Sequence, residues 1–187
     1  MTVKDEIFEI YAHRATGRYG LSAVNQLQHA LQAAALAERT GEPPSIIAAA
    51  LLHDIGHMIH DLGDDPARAG IDDLHEQRGA AWLARHFGPE VVEPVRLHVP
   101  AKRYLCANEP SYFAKLSEDS VRSLELQGGA MSNVEAEAFS MTTHADAAIR
   151  LRRLDEAAKD PSIATPPLQH FMRYVEPLIR TEHSGGR

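Results

Sequence analysis

His53 and Asp54 stand side by side at the end of an almost wholly apolar run, Ile46-Ile-Ala-Ala-Ala-Leu-Leu-His-Asp54. Carrying an imidazole and a carboxylate on a segment bound for the interior is costly unless something compensates their polarity. A metal ion does so, because imidazole nitrogen and carboxylate oxygen both suit iron, manganese or zinc. A carboxylate can also bridge two ions. Gly56 lets the chain turn or pack closely just after the pair. His57 follows His53 by four residues and Asp54 by three. A continuing helix puts all three on one face, which makes His57 a hydrogen-bond donor behind the metals or a substrate contact. Further candidates occur one to a helix: His29, His75, His98 and Asp155. One ligand from each of several helices is how bundle proteins build metal cores. His13, His60, His86, His144, His170 and His183 read as ordinary packed or surface histidines.

The elements that must position these residues are helical. Ala and Leu abound, while runs of Val, Ile, Thr and aromatics do not, a bias toward helix over sheet. The pattern predicts helices over Val3 to Ala12 and Asn25 to Arg39, the second with a stripe of Leu27, Leu31, Ala34, Ala35 and Leu36. Thr16 to Leu21 reads as a loop. Ser45 is a candidate N-cap for a helix over Ile46 to His53. Gly63 to Gly70 reads as a loop. A helix follows over Asp72 to His86, with Ala80, Ala81, Leu83 and Ala84 toward the core. A short helix, Val91 to His98, is expected to end before Pro100, since the residue before proline avoids the helical region. Ala101 to Pro110 then reads as a loop. Helical patterns return at Ser120 to Leu126, Asn133 to Phe139 (with a Ser132/Glu135 capping box), Ala145 to Lys159 and Leu168 to Ile179. The whole, residues 1–187, reads as one all-α domain with a core of about residues 24–180 and a frayed tail over 181–187.

The formal charge is −7 with histidines neutral. An acidic surface argues against nucleic acid or anionic membranes as general partners, without excluding an anionic small molecule in a local pocket. Cys106 is the only cysteine, so no internal disulfide forms and a reducing cytoplasm is the expected compartment. It reads as a small packed side chain. No signal peptide is visible, and the longest apolar run, Ser45 to Leu52, is too short to span a bilayer.

The pattern H…HD…H…H…D, with HD after an apolar helix and before Ile55-Gly-His57, resembles the HD-domain superfamily of helical metal-dependent enzymes. That resemblance implies His29, His53, Asp54, His75, His98 and Asp155 as ligands of two metals, with Asp54 bridging. Three stretches narrow it. Tyr19 precedes His29 by ten residues. His98-Val-Pro-Ala-Lys-Arg-Tyr-Leu-Cys106 follows the fourth histidine. Ser123-Leu-Glu-Leu-Gln-Gly-Gly129 precedes Ile149-Arg-Leu-Arg-Arg-Leu-Asp-Glu-Ala-Ala-Lys159. These resemble the mixed-valent diiron oxygenases of phosphonate breakdown, over most of the chain. The resemblance implies an Fe(II)/Fe(III) pair, O2 as co-substrate, and cleavage of the carbon–phosphorus bond of a small 1-hydroxyphosphonate to phosphate and a carboxylate such as glycine or glycine betaine. It implies an upstream 2-oxoglutarate-dependent hydroxylase as the supplier of substrate.

The resemblance also implies Lys102 as a phosphonate contact and Tyr19 as a cap on one iron until substrate displaces it. His57, Ser123, Gln127 and Arg152 are further candidate substrate contacts. Aminoethylphosphonate-type members carry a Glu three residues after that Tyr, where this chain has Ser22. A quaternary ammonium has no N–H to donate to such a carboxylate, so the departure favours a trimethylammonium substrate. Two other readings of the ligand set are a dinuclear phosphohydrolase acting on a phosphate ester and a non-enzymatic metal- or nucleotide-binding module.

Overall fold

A computed structural model describes residues 1–15, 23–62 and 66–181. Tyr19, Ser22, the Thr16 to Leu21 loop and the tail with His183 lie outside the described residues. The elements in chain order are α1 (Val3–Arg14), α2 (Gln26–Arg39), α3 (Pro44–Leu52), α4 (Ile55–Met58), α5 (His75–Leu83), α6 (Pro89–Asn108), α7 (Pro110–Phe113), α8 (Glu118–Leu126), α9 (Asn133–Ser140), α10 (Ala145–Ala157) and α11 (Leu168–Val175). Short 3-10 turns lie at Pro66–Ala69 and Glu176–Leu178. Among the described residues the only extended pairing is one isolated bridge, Phe87 with Ile179. The fold is all-α, as expected.

Several helices start where local chemistry dictates. Capping boxes open α1 (Thr2 with Asp5), α2 (Asn25 with Gln28) and α9 (Ser132 with Glu135), each satisfying two otherwise orphaned backbone donors. Ser45 is not a cap. α3 starts two residues earlier, with Pro44 at its first position and no side-chain cap, because a proline there loses no intrahelical bond.

α3 lies at the centre, with Ile46 to Leu52 all buried. This explains its unbroken apolarity: no face of it meets water. It packs against α2, α6, α10 and α11. Alanines on α2 (Ala30, Ala33, Ala34, Ala37) and on α3 (Ala48, Ala49, Ala50) let these two helices approach closely. Tyr11 on α1 donates its hydroxyl hydrogen to the Leu51 carbonyl and so ties α1 to the centre. A smaller cluster of Leu97, Ala101, Phe139, Ala145 and Ala148 joins α6, α9 and α10.

Four expectations need correction. α5 begins at His75 rather than Asp72, after a left-handed Leu74 (φ 52°) that reverses the chain. On α5, Ala81 and Ala84 are exposed while Trp82 is buried, so the buried stripe is rotated from the one expected. α10 ends at Ala157, short of Lys159. The largest difference is α6, which runs unbroken through Pro94 and Pro100 to Asn108. An interior proline costs about 3 kcal/mol. Val91, Val95, Leu97, Val99 and Leu105 are all buried, and each such side chain contributes roughly 1.5–3 kcal/mol. Packing, chiefly against α10, outweighs the local signal. The continuation matters for function, because Lys102 falls one turn after His98, on the same face.

Among the described residues no helix is long and apolar enough to cross a membrane.

Candidate metal centre

The helix expected over Ile46 to His53 ends at Leu52 and does not continue through His57. His53 is the C-cap of α3, and Asp54 leaves the helix (φ −98°, ψ 10°) before the single turn of α4. The break turns Asp54 and His57 toward the same interior point as His53. Gly56 makes it possible. A Cβ on Gly56 would lie 1.9 Å from the His75 carbonyl oxygen, so only glycine lets α4 touch the start of α5. Gly56→Ala is expected to destabilise the fold by at least about 2 kcal/mol, as overpacking against fixed backbone does. It should also lower metal content, readable by thermal melts and metal analysis of the same sample.

His29, His53, Asp54, His75, His98 and Asp155 converge, each no more than 8% exposed. Every imidazole has its Nδ1 occupied. That of His29 faces the Ala158 carbonyl at 2.8 Å, that of His53 the Ala50 carbonyl at 2.9 Å, and that of His98 the Val95 carbonyl at 2.7 Å. That of His75 faces Asp73 Oδ1 at 3.0 Å. These partners only accept, so each Nδ1 must donate, and a neutral ring then bears a lone pair at Nε2. The Nε2 atoms nevertheless face one another in pairs, His29 with His53 at 3.1 Å and His75 with His98 at 3.1 Å. Two lone pairs in that position repel unless a cation lies between them.

Carboxylates complete both pairs. Asp155 Oδ1 lies 3.2 Å from His29 Nε2 and 3.8 Å from His53 Nε2. Asp54 spans the two groups: Oδ2 is 3.5 Å from His29 Nε2, while Oδ1 is 3.4 Å from His53 and 3.7 Å from both His75 and His98. Two three-ligand groups result, His29/His53/Asp155 and Asp54/His75/His98. Neighbouring ligands on an octahedral ion with bonds of about 2.1 Å lie about 3 Å apart. The short separations here fit that spacing, and the nitrogen–oxygen donor set suits iron, manganese or zinc.

The electrostatics point the same way. Burial alone disfavours the charged form of every group here. Even so, His53, His57, His75 and His29 hold Asp54 well below the usual carboxylate range. Arg152, with His29 and His53, does the same for Asp155 against the cost of its burial. Burial disfavours a charged His53, yet Asp54 and Asp155 push it up to about 9. Burial, with His75 and His53, pushes His98 far down. Two anionic carboxylates in a dry pocket thus retain protons on nearby rings, and a metal can replace those protons.

A pocket opens on this centre and includes Gln26, His57, Lys102, Ser123, Gln127 and Arg152 in its lining. Of the described candidates from the sequence, all but the fully buried His53 line this pocket. Lys102 is buried and donates to Ser123 Oγ at 2.9 Å. Burial first, then the neighbouring Arg152, pushes its amine down to about 7. Gln127 caps α8, and its Oε1 is buried with no hydrogen-bond partner among the described residues. Arg152 is committed to the protein: Nε donates to Tyr112 Oη at 2.7 Å, Nη1 to Asp155 and Nη2 to Glu156. Tyr104 packs on Phe139, outside the pocket lining, and Phe113 is largely exposed.

Asp73 is a site residue that the sequence reading missed. Its carboxylate is buried and holds three histidines, His75 at 3.0 Å, His57 Nδ1 at 2.5 Å and His60 Nε2 at 3.1 Å. It thereby fixes the tautomers of His75 and His57, whose rings stack 3.8 Å apart. The one sequence signal was an aspartate two residues ahead of a candidate ligand. The reversal at Leu74 that swings it back onto the ring left no such trace. Outer carboxylates of this kind typically change metal affinity by roughly 10–100-fold. Asp73→Asn should weaken metal binding by that much, as read by competition with a chelator, while leaving the helical content intact.

A helical bundle whose interior carries paired histidines and aspartates defines a class, and sequence comparison assigns it. Residues 26–136 match the HD domain, and the chain belongs to that family. The match ends before α10, which supplies Asp155. Beyond the family, the chain is 40% identical over 176 residues to a [1-hydroxy-2-(trimethylamino)ethyl]phosphonate dioxygenase (glycine-betaine-forming) of Leisingera caerulea, covering 94% of this chain and 89% of the relative. It is 44% identical over 179 residues to a hydroxymethylphosphonate dioxygenase of Gimesia maris, covering 95% and 88%.

Proposed function

We propose that this chain is a diiron oxygenase that uses O2 to cleave the carbon–phosphorus bond of a 1-hydroxyphosphonate. The carrying observation is the double pair of facing Nε2 atoms, bridged by Asp54 and open to a pocket with a buried lysine. The similarity to two phosphonate dioxygenases over nearly the whole chain supports the reading. In it, His29, His53 and Asp155 would hold one iron, His75 and His98 would hold the other, and Asp54 would serve both. Helix α10 then belongs to the same domain, together with α11. The iron pair supplies the redox capacity to activate O2 and the positive charge that acidifies a substrate hydroxyl.

The overall change balances without an added reductant: R–CH(OH)–PO3²⁻ + O2 gives R–CO2⁻, HPO4²⁻ and H⁺. The chain's own groups handle binding and protons. Lys102 offers its ammonium to the phosphonate as a point charge. Ser123, already its partner, and the Gln127 amide, whose Oε1 has no hydrogen-bond partner among the described residues, complete the anion's surroundings, the amide donating from Nε2 to a phosphonate oxygen. His57 donates from Nδ1 to Asp73, which leaves Nε2 as an acceptor facing Asp54 at 3.9 Å. It can hold the proton leaving the substrate hydroxyl. Arg152 fixes Asp155 from behind. Tyr19 as a removable cap on one iron and Ser22 beside the substrate remain part of the proposal on resemblance alone.

For the far end of the substrate we favour a trimethylammonium group, giving glycine betaine. The Asp72 and Asp119 carboxylates line the same pocket as Lys102, an arrangement of opposite charges that suits a zwitterion. The Gimesia maris relative favours a second reading, hydroxymethylphosphonate, which lacks a cationic end. Oxygen-uptake kinetics of the iron-loaded protein separate them. The proposal expects a higher kcat/KM with 1-hydroxy-2-(trimethylammonio)ethylphosphonate than with its primary-amine counterpart or hydroxymethylphosphonate. A preference for the primary amine contradicts the specificity, and turnover of none of the three contradicts the function. An upstream 2-oxoglutarate-dependent hydroxylase would supply the 1-hydroxyl. We assign the protein to the cytoplasm because its single cysteine forms no internal disulfide.

A further inference from the structure

α8 carries Ser123 and ends on Gln127, yet it is poorly anchored by packing. Among the described residues its one substantial contact with another helical segment is the 3-10 turn at Pro66–Ala69, and Leu124 is its only buried apolar side chain. Polar ties set its position instead: Lys102 holds Ser123, Arg152 and Lys159 reach Ser120, and Glu156 is the one acceptor among the described residues that takes both a backbone and a side-chain donor from the start of the helix. Glu156 Oε1 accepts the backbone N–H of Ser117, the N-cap of α8, at 3.1 Å. Oε2 accepts the hydroxyl of Ser120, in the first turn, at 2.9 Å. A carboxylate at a helix N-terminus meets both orphaned donors and the positive end of the helix dipole.

On α10, Asp155 and Glu156 lie three and four residues after Arg152, and its guanidinium holds both carboxylates. Lys159 adds a contact to Glu156 Oε2 at 3.0 Å and one to Ser120 Oγ at 2.9 Å. Adjacent residues thus face opposite tasks through one shared cation, Asp155 toward the metal centre and Glu156 toward α8.

We propose that Glu156 is a positioning residue for substrate: it holds α8 in register with Asp155, so that Ser123 and Gln127 meet the phosphonate. This rests on the functional reading above. The role predicts a split between binding and chemistry. Glu156→Ala should raise KM for the hydroxyphosphonate about tenfold, with kcat within about threefold and iron per chain unchanged. Glu156→Gln keeps the shape and an acceptor for Ser117, so it should recover most of that loss. Combining Glu156→Ala with Ser120→Ala should raise KM by less than the product of the two single effects, because the Glu156–Ser120 contact is lost in either variant. Hydrogen exchange gives a readout independent of turnover: amides of residues 118–127 should exchange faster in Glu156→Ala, while those of α10 do not change.

If the wild type turns over no hydroxyphosphonate, the functional reading fails, and the exchange result still judges the anchoring of α8. If the wild type is active and neither variant shifts KM or α8 exchange, the positioning role is wrong. It is equally wrong if iron is lost or kcat collapses at constant KM, since Glu156 would then act through Asp155. Should Glu156→Ala fail to fold, Glu156→Asp, one methylene too short to reach Ser117 and Ser120 together, carries the test: KM and α8 exchange should both rise, and no change in either overturns the role.

Discussion

Asp54→Ala should abolish phosphate release, with kcat lower by at least about 10³-fold, because it removes the one group that faces all four histidines. Its two oxygens lie 3.4–3.7 Å from the Nε2 atoms of His29, His53, His75 and His98. Without them, each remaining ligand set has too little negative charge and too few donors to hold an ion against water. Metal analysis of the purified variant is the first check, and the expected result is fewer than one ion per chain. Asp54→Asn separates charge from shape. The amide retains the volume but cannot bridge two cations, so it too should lose metal. Retention of two ions with full activity would remove Asp54 from the proposed centre.

Lys102→Met should lower kcat/KM by roughly 100–1,000-fold, the scale of deleting one buried charged partner of an anion (about 3–4 kcal/mol). Methionine preserves the length and loses the charge. The pH dependence is a second signature. Burial first, and Arg152 next, pushes the Lys102 amine down to about 7. The ammonium that meets the phosphonate is therefore abundant below pH 7 and is lost as pH rises through that value. The free enzyme's kcat/KM should fall on the alkaline side, by up to tenfold per unit. Lys102→Arg, which stays charged, should remove that fall even if its overall activity is lower.

Stability should move the opposite way from activity. Lys102 binds its proton less tightly in the folded chain than in the unfolded one. The wild type therefore gains stability as pH rises from about 7 toward the ordinary lysine range. Lys102→Met lacks a buried amine and should not show that gain. It should be no less stable than the wild type at neutral pH, which separates a binding defect from a folding defect.

The contrast between α9 and α6 shows how much of the fold was legible in the sequence. α9 is written locally: Ser132 and Glu135 cap it, and it starts where those residues say. α6 is not. Pro100 argues for a helix end at His98, and only burial of the surrounding side chains against α10 carries the helix on to Asn108. With that end misplaced, Lys102 could be reached only by resemblance. In the structure it lies one helical turn beyond His98.

His53 and Asp54 were legible because they end a wholly apolar run, whereas His29, His75, His98 and Asp155, each ordinary when taken alone, joined them through the joint pattern and the family resemblance it carries. Asp73 and Glu156 were not legible. One sits beside a left-handed reversal and the other in a charged stretch of α10, and both acquire their roles only through tertiary contacts. Ser45 and the Asp72 start of α5 failed for a simpler reason: proline and the Leu74 reversal decided those boundaries.

The central claim is oxygen-dependent cleavage rather than water attack at phosphorus, and one measurement addresses it directly. Iron-loaded protein is supplied with 1-hydroxy-2-(trimethylammonio)ethylphosphonate, and O2 consumption and phosphate release are followed together, with and without O2. The account predicts one phosphate released per O2 consumed and none in the anaerobic arm. Phosphate released equally well without O2 would contradict it and assign the same six side chains to a hydrolase.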